Sequence, residues 1–187
     1  MVTVTRRRAL QAALIGGAAA CSAEPARTPY QSASPTNDSY FRHGVASGDP
    51  GPESVVIWTR FFNEALSVTP GDRAIRWQVA EDAEFRAIAA EGEKSTGPAA
   101  DFTVKQLVEG LKPGSTYFYR FSLGDQMSPV GRTKTLPVGA VSQARFAVVS
   151  CSNFPFGYFN VYDQIARRDD FDAVLHLGDY IYEYGGD

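Results

Sequence analysis

Three side chains in the last third of the sequence could act together as anionic donors: Cys151, Asp179 and Tyr182. A carboxylate such as that of Asp179 can turn its two oxygens toward different cations, and Gly178 before it leaves room for metal against the backbone. Tyr182 lies three residues further on and falls on the same side if the chain makes one helical turn there. A phenolate is a strong ligand for a hard trivalent ion such as Fe(III). Coordination would have to pull the phenol far below its free pKa of about 10, as metals do for water and thiols. Cys151 would add a thiolate. Each residue also has a plainer reading. Asp179 could be a turn or capping aspartate after a strand, and Cys151 a small core residue. His176 sits within a strand-like run, where a hydrogen-bonded core histidine is the better reading than a ligand. His43 precedes Gly44 and has no partner nearby in sequence.

Elements that would carry these residues can be read around them. Arg145-Phe146-Ala147-Val148-Val149-Ser150-Cys151 is a nearly continuous apolar run, the pattern of a strand buried on both faces. From Tyr158 to Arg168, Phe159, Tyr162, Ile165 and Ala166 recur at helical spacing, and Asp169-Asp170 breaks the run. Ala173-Val174-Leu175-His176-Leu177 reads as a second buried strand. Strand, helix, strand predicts a βαβ unit with parallel strands. Ligands of such sheets bind beyond the carboxyl ends of the strands. Cys151 and Asp179 fall at those two ends.

The preceding block, residues 40–137, is patterned differently. Val55-Val56-Ile57-Trp58 is strand-like, and Ile75, Trp77 and Val79 recur at period two. Phe102 and Val104 alternate, as do Tyr117, Tyr119, Phe121 and Leu123. Turn signals at Ser47–Pro52, Pro70-Gly71-Asp72 and Pro113-Gly114 separate these runs. Many short strands at this spacing predict two packed antiparallel sheets, with Trp58, Trp77 and Tyr117 mostly buried. Leu111-Lys112-Pro113-Gly114-Ser115-Thr116-Tyr117 resembles the fibronectin type III pattern, in which a tyrosine near a strand start bonds back to the preceding corner. An ordinary core aromatic is the alternative for Tyr117. The predicted fold class is therefore mixed: an all-β sandwich, then the first βαβ unit of an α/β domain over residues 143–187.

The first 21 residues read as a targeting segment. Arg6-Arg7-Arg8 precedes the apolar run Ala12 to Ala20, the charged region and short hydrophobic core of a bacterial signal. The run is too short and too rich in Gly and Ala for a stable membrane span. Paired arginines point to the Tat export machinery, which carries folded proteins and would suit one that takes up metal before it crosses. Export to the periplasm, cell surface or medium is the expectation. Ala18-Ala19-Ala20-Cys21 resembles a lipoprotein cleavage box, making Cys21 a candidate lipid anchor, although Ala18 stands where a bulky residue is usual. An amphipathic helix is the plain alternative, but the Ala/Gly run has no helical period. Residues 22–39 form a linker rich in Ser, Pro, Ala and Thr. Net charge is −3, and losing Arg6, Arg7 and Arg8 makes it three units more negative. Such a chain carries no electrostatic footprint for nucleic acid. With 44% hydrophobic residues it can still bury a core. The two cysteines are Cys21 and Cys151, so loss or acylation of Cys21 leaves Cys151 without a disulfide partner.

Taken together, these segments resemble one family. Phe41–Pro50 with Val55–Arg60 is similar to the start of the N-terminal sandwich of the PhoD-type alkaline phosphatase/phosphodiesterase family. Ser150-Cys151-Ser152-Asn153, Gly157-Tyr158-Phe159 and His176-Leu177-Gly178-Asp179-Tyr180-Ile181-Tyr182-Glu183 resemble the start of its catalytic domain. Gly178–Tyr182 has the Gly-Asp-x-x-Tyr form of the metallophosphoesterase motif. The resemblance implies a fibronectin-like module before a metallophosphoesterase domain. It implies Fe(III) held partly by Cys151, Asp179 and Tyr182, Ca(II) beside it, and hydrolysis of phosphate mono- and diesters outside the cytoplasm. The sequence ends at Asp187, ahead of the family's Gly-Asn-[His/Asp] and later ligand motifs. Three candidate ligands are expected to leave the isolated chain inactive, the activity belonging to a longer protein. Two other readings compete. A purple-acid-phosphatase-like enzyme shares Gly-Asp-x-x-Tyr but normally starts with an aspartate ligand. A non-catalytic surface module would use only the sandwich.

Overall fold

The computed structural model describes residues 39–62, 71–153 and 156–182. The targeting segment, including Arg6–Arg8 and Cys21, and the linker up to Asp38 lie outside the described residues.

The first unit is a fibronectin type III-like sandwich. One sheet holds β1 (Val45–Gly48), β2 (Ser54–Arg60) and β5 (Thr103–Glu109) in the order β1-β2-β5. The other holds β3 (Arg73–Ala80), β4 (Ile88–Thr96) and β6 (Thr116–Leu123) in the order β4-β3-β6. Two short strands, β7 (Gln126–Met127) and β8 (Gly131–Lys134), both pair with β6. All pairings in the sandwich are antiparallel.

Alternation decides what lies between the sheets, because successive side chains on a strand point to opposite faces. Val55 and Ile57 of β2 meet Val104 and Val108 of β5, Ile75 and Val79 of β3, and Tyr117, Tyr119 and Phe121 of β6 in one buried cluster. Tyr117 also completes the corner expected of it: its phenol oxygen accepts the backbone N–H of Lys112 at 2.7 Å.

Trp58 and Trp77 are mostly buried, as expected, but neither is enclosed as fully as Tyr117. On β2, Val55, Ile57 and Thr59 take the inner face, so Trp58 falls on the outer face and is partly exposed. Trp77 has the inward parity of Ile75 and Val79 but lies at the rim of the core, also partly exposed. Its indole rests on Gly92, its partner across β3–β4, where a Cβ would stand 2.7 Å from Cζ2. The flat glycine lets the ring lie over the neighbouring strand.

The second unit is the expected βαβ arrangement. β9 (Phe146–Val149) leads to α1 (Asn160–Ala166) and then to β10 (Ala173–His176). β9 and β10 are parallel, with Phe146 opposite Ala173 and Val149 opposite His176. Burial of these strands on both faces is not what is found. Phe146, Val148, Val174 and Leu175 are 45–58% exposed. A two-stranded sheet flanked by one seven-residue helix has too little surface to cover two apolar faces.

Candidate metal centre

Beyond β9 and β10 the two chains keep pairing, and this is what gathers the candidate donors. Leu177 N donates to Val149 O at 2.9 Å, and Cys151 N donates to Gly178 O at 3.3 Å. Ser152 N then donates to Asp179 O at 3.0 Å, and Tyr182 N to Ser152 O at 2.8 Å. Asn153 and Tyr182 close the run as a parallel bridge. The expected helical turn after Asp179 does not occur. Tyr182 returns on bridged backbone, because Asp179 adopts a left-handed conformation, φ 49°, that redirects the chain. Cys151 at the opposing strand end is left-handed too, φ 59°. Non-glycine residues in this region are strained and concentrate at functional sites.

All three candidate donors meet at one atom. Tyr182 donates its phenol hydrogen to Asp179 Oδ2 at 2.6 Å. Cys151 Sγ lies 3.7 Å from the same oxygen, in position to donate its weaker S–H. The hydrogen bond to Asp179, and after it the contact with Cys151, holds the Tyr182 phenol well above its ordinary range. Both favour the protonated phenol, the first because the carboxylate needs that hydrogen. Cys151 is an exposed free thiol, so the buried-core reading does not hold for it.

Whether this set fits a cation can be judged from its chemistry. A thiol, a phenol and a carboxylate become three anionic donors once two protons leave. They converge at solvent-accessible strand ends, the place a parallel sheet offers a ligand. The residues present therefore fit a hard, highly charged ion. Among the described residues no cluster of three or more His, Cys, Asp and Glu side chains could hold a metal, and the third donor here is a tyrosine.

His176 does not join the donors. Its Nδ1 accepts from Gly178 N at 3.3 Å and its Nε2 meets the Tyr162 hydroxyl at 3.0 Å, the satisfied state expected of it. Sequence reading missed two neighbours, Ser152 and Tyr162, whose hydroxyls are hydrogen-bonded to each other. The signal available for Tyr162 was its place on the helix face turned toward the sheet. His43 also has a partner that sequence distance hid. Its Nε2 lies 2.6 Å from Arg60 Nη1, brought there by the β1–β2 pairing, and Arg60 in turn binds Asp101 at 2.8 Å. Burial first, then Arg60 and Arg42, lowers the pKa of His43.

The chain is similar to known proteins in sequence and in fold. Residues 24–137 match the family described as PhoD-like phosphatase, N-terminal domain, and residues 146–187 match PhoD-like phosphatase. Alkaline phosphatase D of Bacillus subtilis (strain 168) is 44% identical over 159 residues, 82% of this chain and 27% of that protein. A solved structure of PhoD superposes with a TM-score of 0.73 at 43% identity, covering 81% of this chain and 30% of that one. The chain thus spans between a quarter and a third of the length of these relatives.

Proposed function

The chain belongs to the PhoD-like phosphatase family, and on that premise we propose that it forms the leading part of a metal-dependent phosphoesterase, with Cys151, Asp179 and Tyr182 as ligands. The observation that carries this reading is the convergence of Cys151 Sγ and the Tyr182 phenol on Asp179 Oδ2. The substrate class is phosphate mono- or diesters. The cations proposed are Fe(III) and Ca(II), and when bound they supply charge stabilisation at phosphoryl oxygens and activation of water. The chain's own residues prepare the place. As ligands, Tyr182 would give up the proton it donates to Asp179 and Cys151 its thiol proton. Asp179 would be the carboxylate able to be shared with a second ion. A cysteine at the first strand end supports this reading over a purple-acid-phosphatase-like one, which would place an aspartate there.

The test is made on the full-length protein that carries this chain. Metal content and hydrolysis of p-nitrophenyl phosphate and its bis ester are measured before and after Asp179→Ala. Loss of metal and a fall in both activities by orders of magnitude are expected. Full activity in the variant, or in a metal-free wild type, would overturn the reading.

We further propose that Arg6-Arg7-Arg8 and the apolar run after it direct Tat-type export, with Cys21 as a lipid-attachment residue. Replacing Arg6 and Arg7 by lysine should leave precursor in the cytoplasm. Undiminished export of that variant would refute the Tat route, and the mass of the mature N-terminus reports on Cys21.

A further inference from the structure

A closed run of hydrogen bonds lies behind the three donors, and none of the ligand chemistry uses it. An amide N–H can only donate, so the bond from Gly178 N at 3.3 Å fixes Nδ1 of His176 as an acceptor. The neutral ring then carries its hydrogen on Nε2 and donates it to the Tyr162 hydroxyl, 3.0 Å away. The Tyr162 hydroxyl is hydrogen-bonded in turn to Ser152 Oγ. Ser152 is 7% exposed and bonds both sides of the donor set through its backbone. Its N–H reaches Asp179 O at 3.0 Å, and its carbonyl accepts from Tyr182 N at 2.8 Å. The run thus begins beside Asp179, crosses α1 at Tyr162, and ends beside Cys151. The Tyr162 and His176 rings are parallel within 4°, with centroids 6.4 Å apart, and Tyr180 packs edge-on against His176 at 5.1 Å.

We propose that Tyr162 and His176 are positioning residues: acting through Ser152 and Gly178, they hold the two strand ends at the spacing that brings Cys151, Asp179 and Tyr182 together. The inference rests on the ligand reading above and adds to it the device that orients the ligands. Left-handed backbone at Cys151 and Asp179 persists only where the surroundings over-determine it. The brace supplies that constraint from the side away from the donors. Residues that orient ligands typically change metal affinity or activity about 10- to 100-fold when removed.

The test uses the full-length protein with Tyr162→Phe, His176→Leu and His176→Gln, whose side-chain amide can still donate to Tyr162. Iron loss to a chelator and the position of the iron charge-transfer band are followed, with amide hydrogen exchange measured in the metal-free protein. Tyr162→Phe and His176→Leu should lose iron about 10-fold faster or more and shift the band, with His176→Gln closer to wild type. In the metal-free protein, Ser152 and Tyr182 amides should exchange faster while those of β9 keep their protection. Unchanged iron loss and an unmoved band in Tyr162→Phe would overturn the proposal. So would loosening of β9 to the same degree, which would make Tyr162 a packing residue only. A wild type that binds no iron would defeat the ligand reading instead, and the exchange of Ser152 and Tyr182 alone would then decide whether the brace exists.

Discussion

Lys134, the last residue of β8, binds one oxygen of Asp172, whose other oxygen accepts the backbone N–H of Arg145 at 2.8 Å. Arg132, two residues earlier, donates to Arg168 O at 2.6 Å. The sandwich therefore grips both ends of the segment that leads from α1 into β10. It helps set where β10, and Asp179 beyond it, lie.

The first prediction concerns this join. Lys134 first, then the Arg145 amide, holds the Asp172 carboxyl below its usual range. Arg168 likewise brings Asp170 down to about 2. Depressed folded-state values mean stability that is complete above the unfolded pKa near 3.8 and is lost as pH falls toward the folded one. Acid should thus loosen the join between about pH 4 and 2. Asp172→Ala should cost about 1 kcal/mol at neutral pH, since the pair is half-exposed but also satisfies a backbone donor. Urea unfolding at pH 7 and pH 3 checks both. An acid response identical in wild type and Asp172→Ala would remove Asp172 from the account.

Tyr117 gives the second. Its ring is almost wholly buried, and its hydroxyl satisfies Lys112 N across the turn before β6. Tyr117→Phe keeps the ring and leaves that donor without its partner, a loss of about 1 to 3 kcal/mol. The urea midpoint should drop with little change in slope. A midpoint equal to wild type would mean that water or another acceptor replaces the phenol at no cost.

What was readable in advance follows the range of the interactions. The alternation Tyr117, Tyr119, Phe121 names the inner face of β6 because burial there depends only on period two. The same rule places Trp58 outside once Val55 and Ile57 are inside, but the unbroken run Val55-Val56-Ile57-Trp58 hides the period. The apolar runs at β9 and β10 announce parallel strands correctly, and the strand ends follow from that. The route of Tyr182 does not follow, because it depends on a left-handed Asp179 and on pairing with Ser152 and Asn153, far away in sequence. The His43–Arg60 and Ser152–Tyr162 contacts were hidden for the same reason.

A third prediction is alkaline. Burial raises the Tyr119 phenol from about 10 to about 12, the desolvation outweighing a hydrogen bond with Ser47. A folded value above the unfolded one means that stability is intact below about pH 10 and falls as pH rises toward 12. The sandwich should lose on the order of 2 to 3 kcal/mol across that window through this one residue. Tyr119→Phe should flatten that part of the pH dependence. Denaturant melts from pH 8 to 12 measure it, and an unchanged slope in the variant would transfer the effect to other groups.

The last prediction returns to Tyr182. Its phenol donates to Asp179 at 2.6 Å and is held above its ordinary pKa, so ligation of a cation would have to displace that proton. Thiolate and phenolate both give charge-transfer absorption with Fe(III), so the loaded full-length protein should be coloured. Tyr182→Phe removes one oxygen and leaves the backbone bond from Tyr182 N to Ser152 O available, so the strand ends should stay paired. It should shift or bleach the band and weaken iron retention about 10-fold or more, losing a donor rather than an orienting group. Cys151→Ser should change the band differently, because it exchanges a soft donor for a hard one without emptying the position. Metal uptake by wild type should release protons as the phenol and thiol ionise, and Tyr182→Phe should release fewer. Proton release is read by titration in weak buffer during loading. Equal release and an identical spectrum in Tyr182→Phe would exclude the phenol from the metal's ligands, whatever the activity.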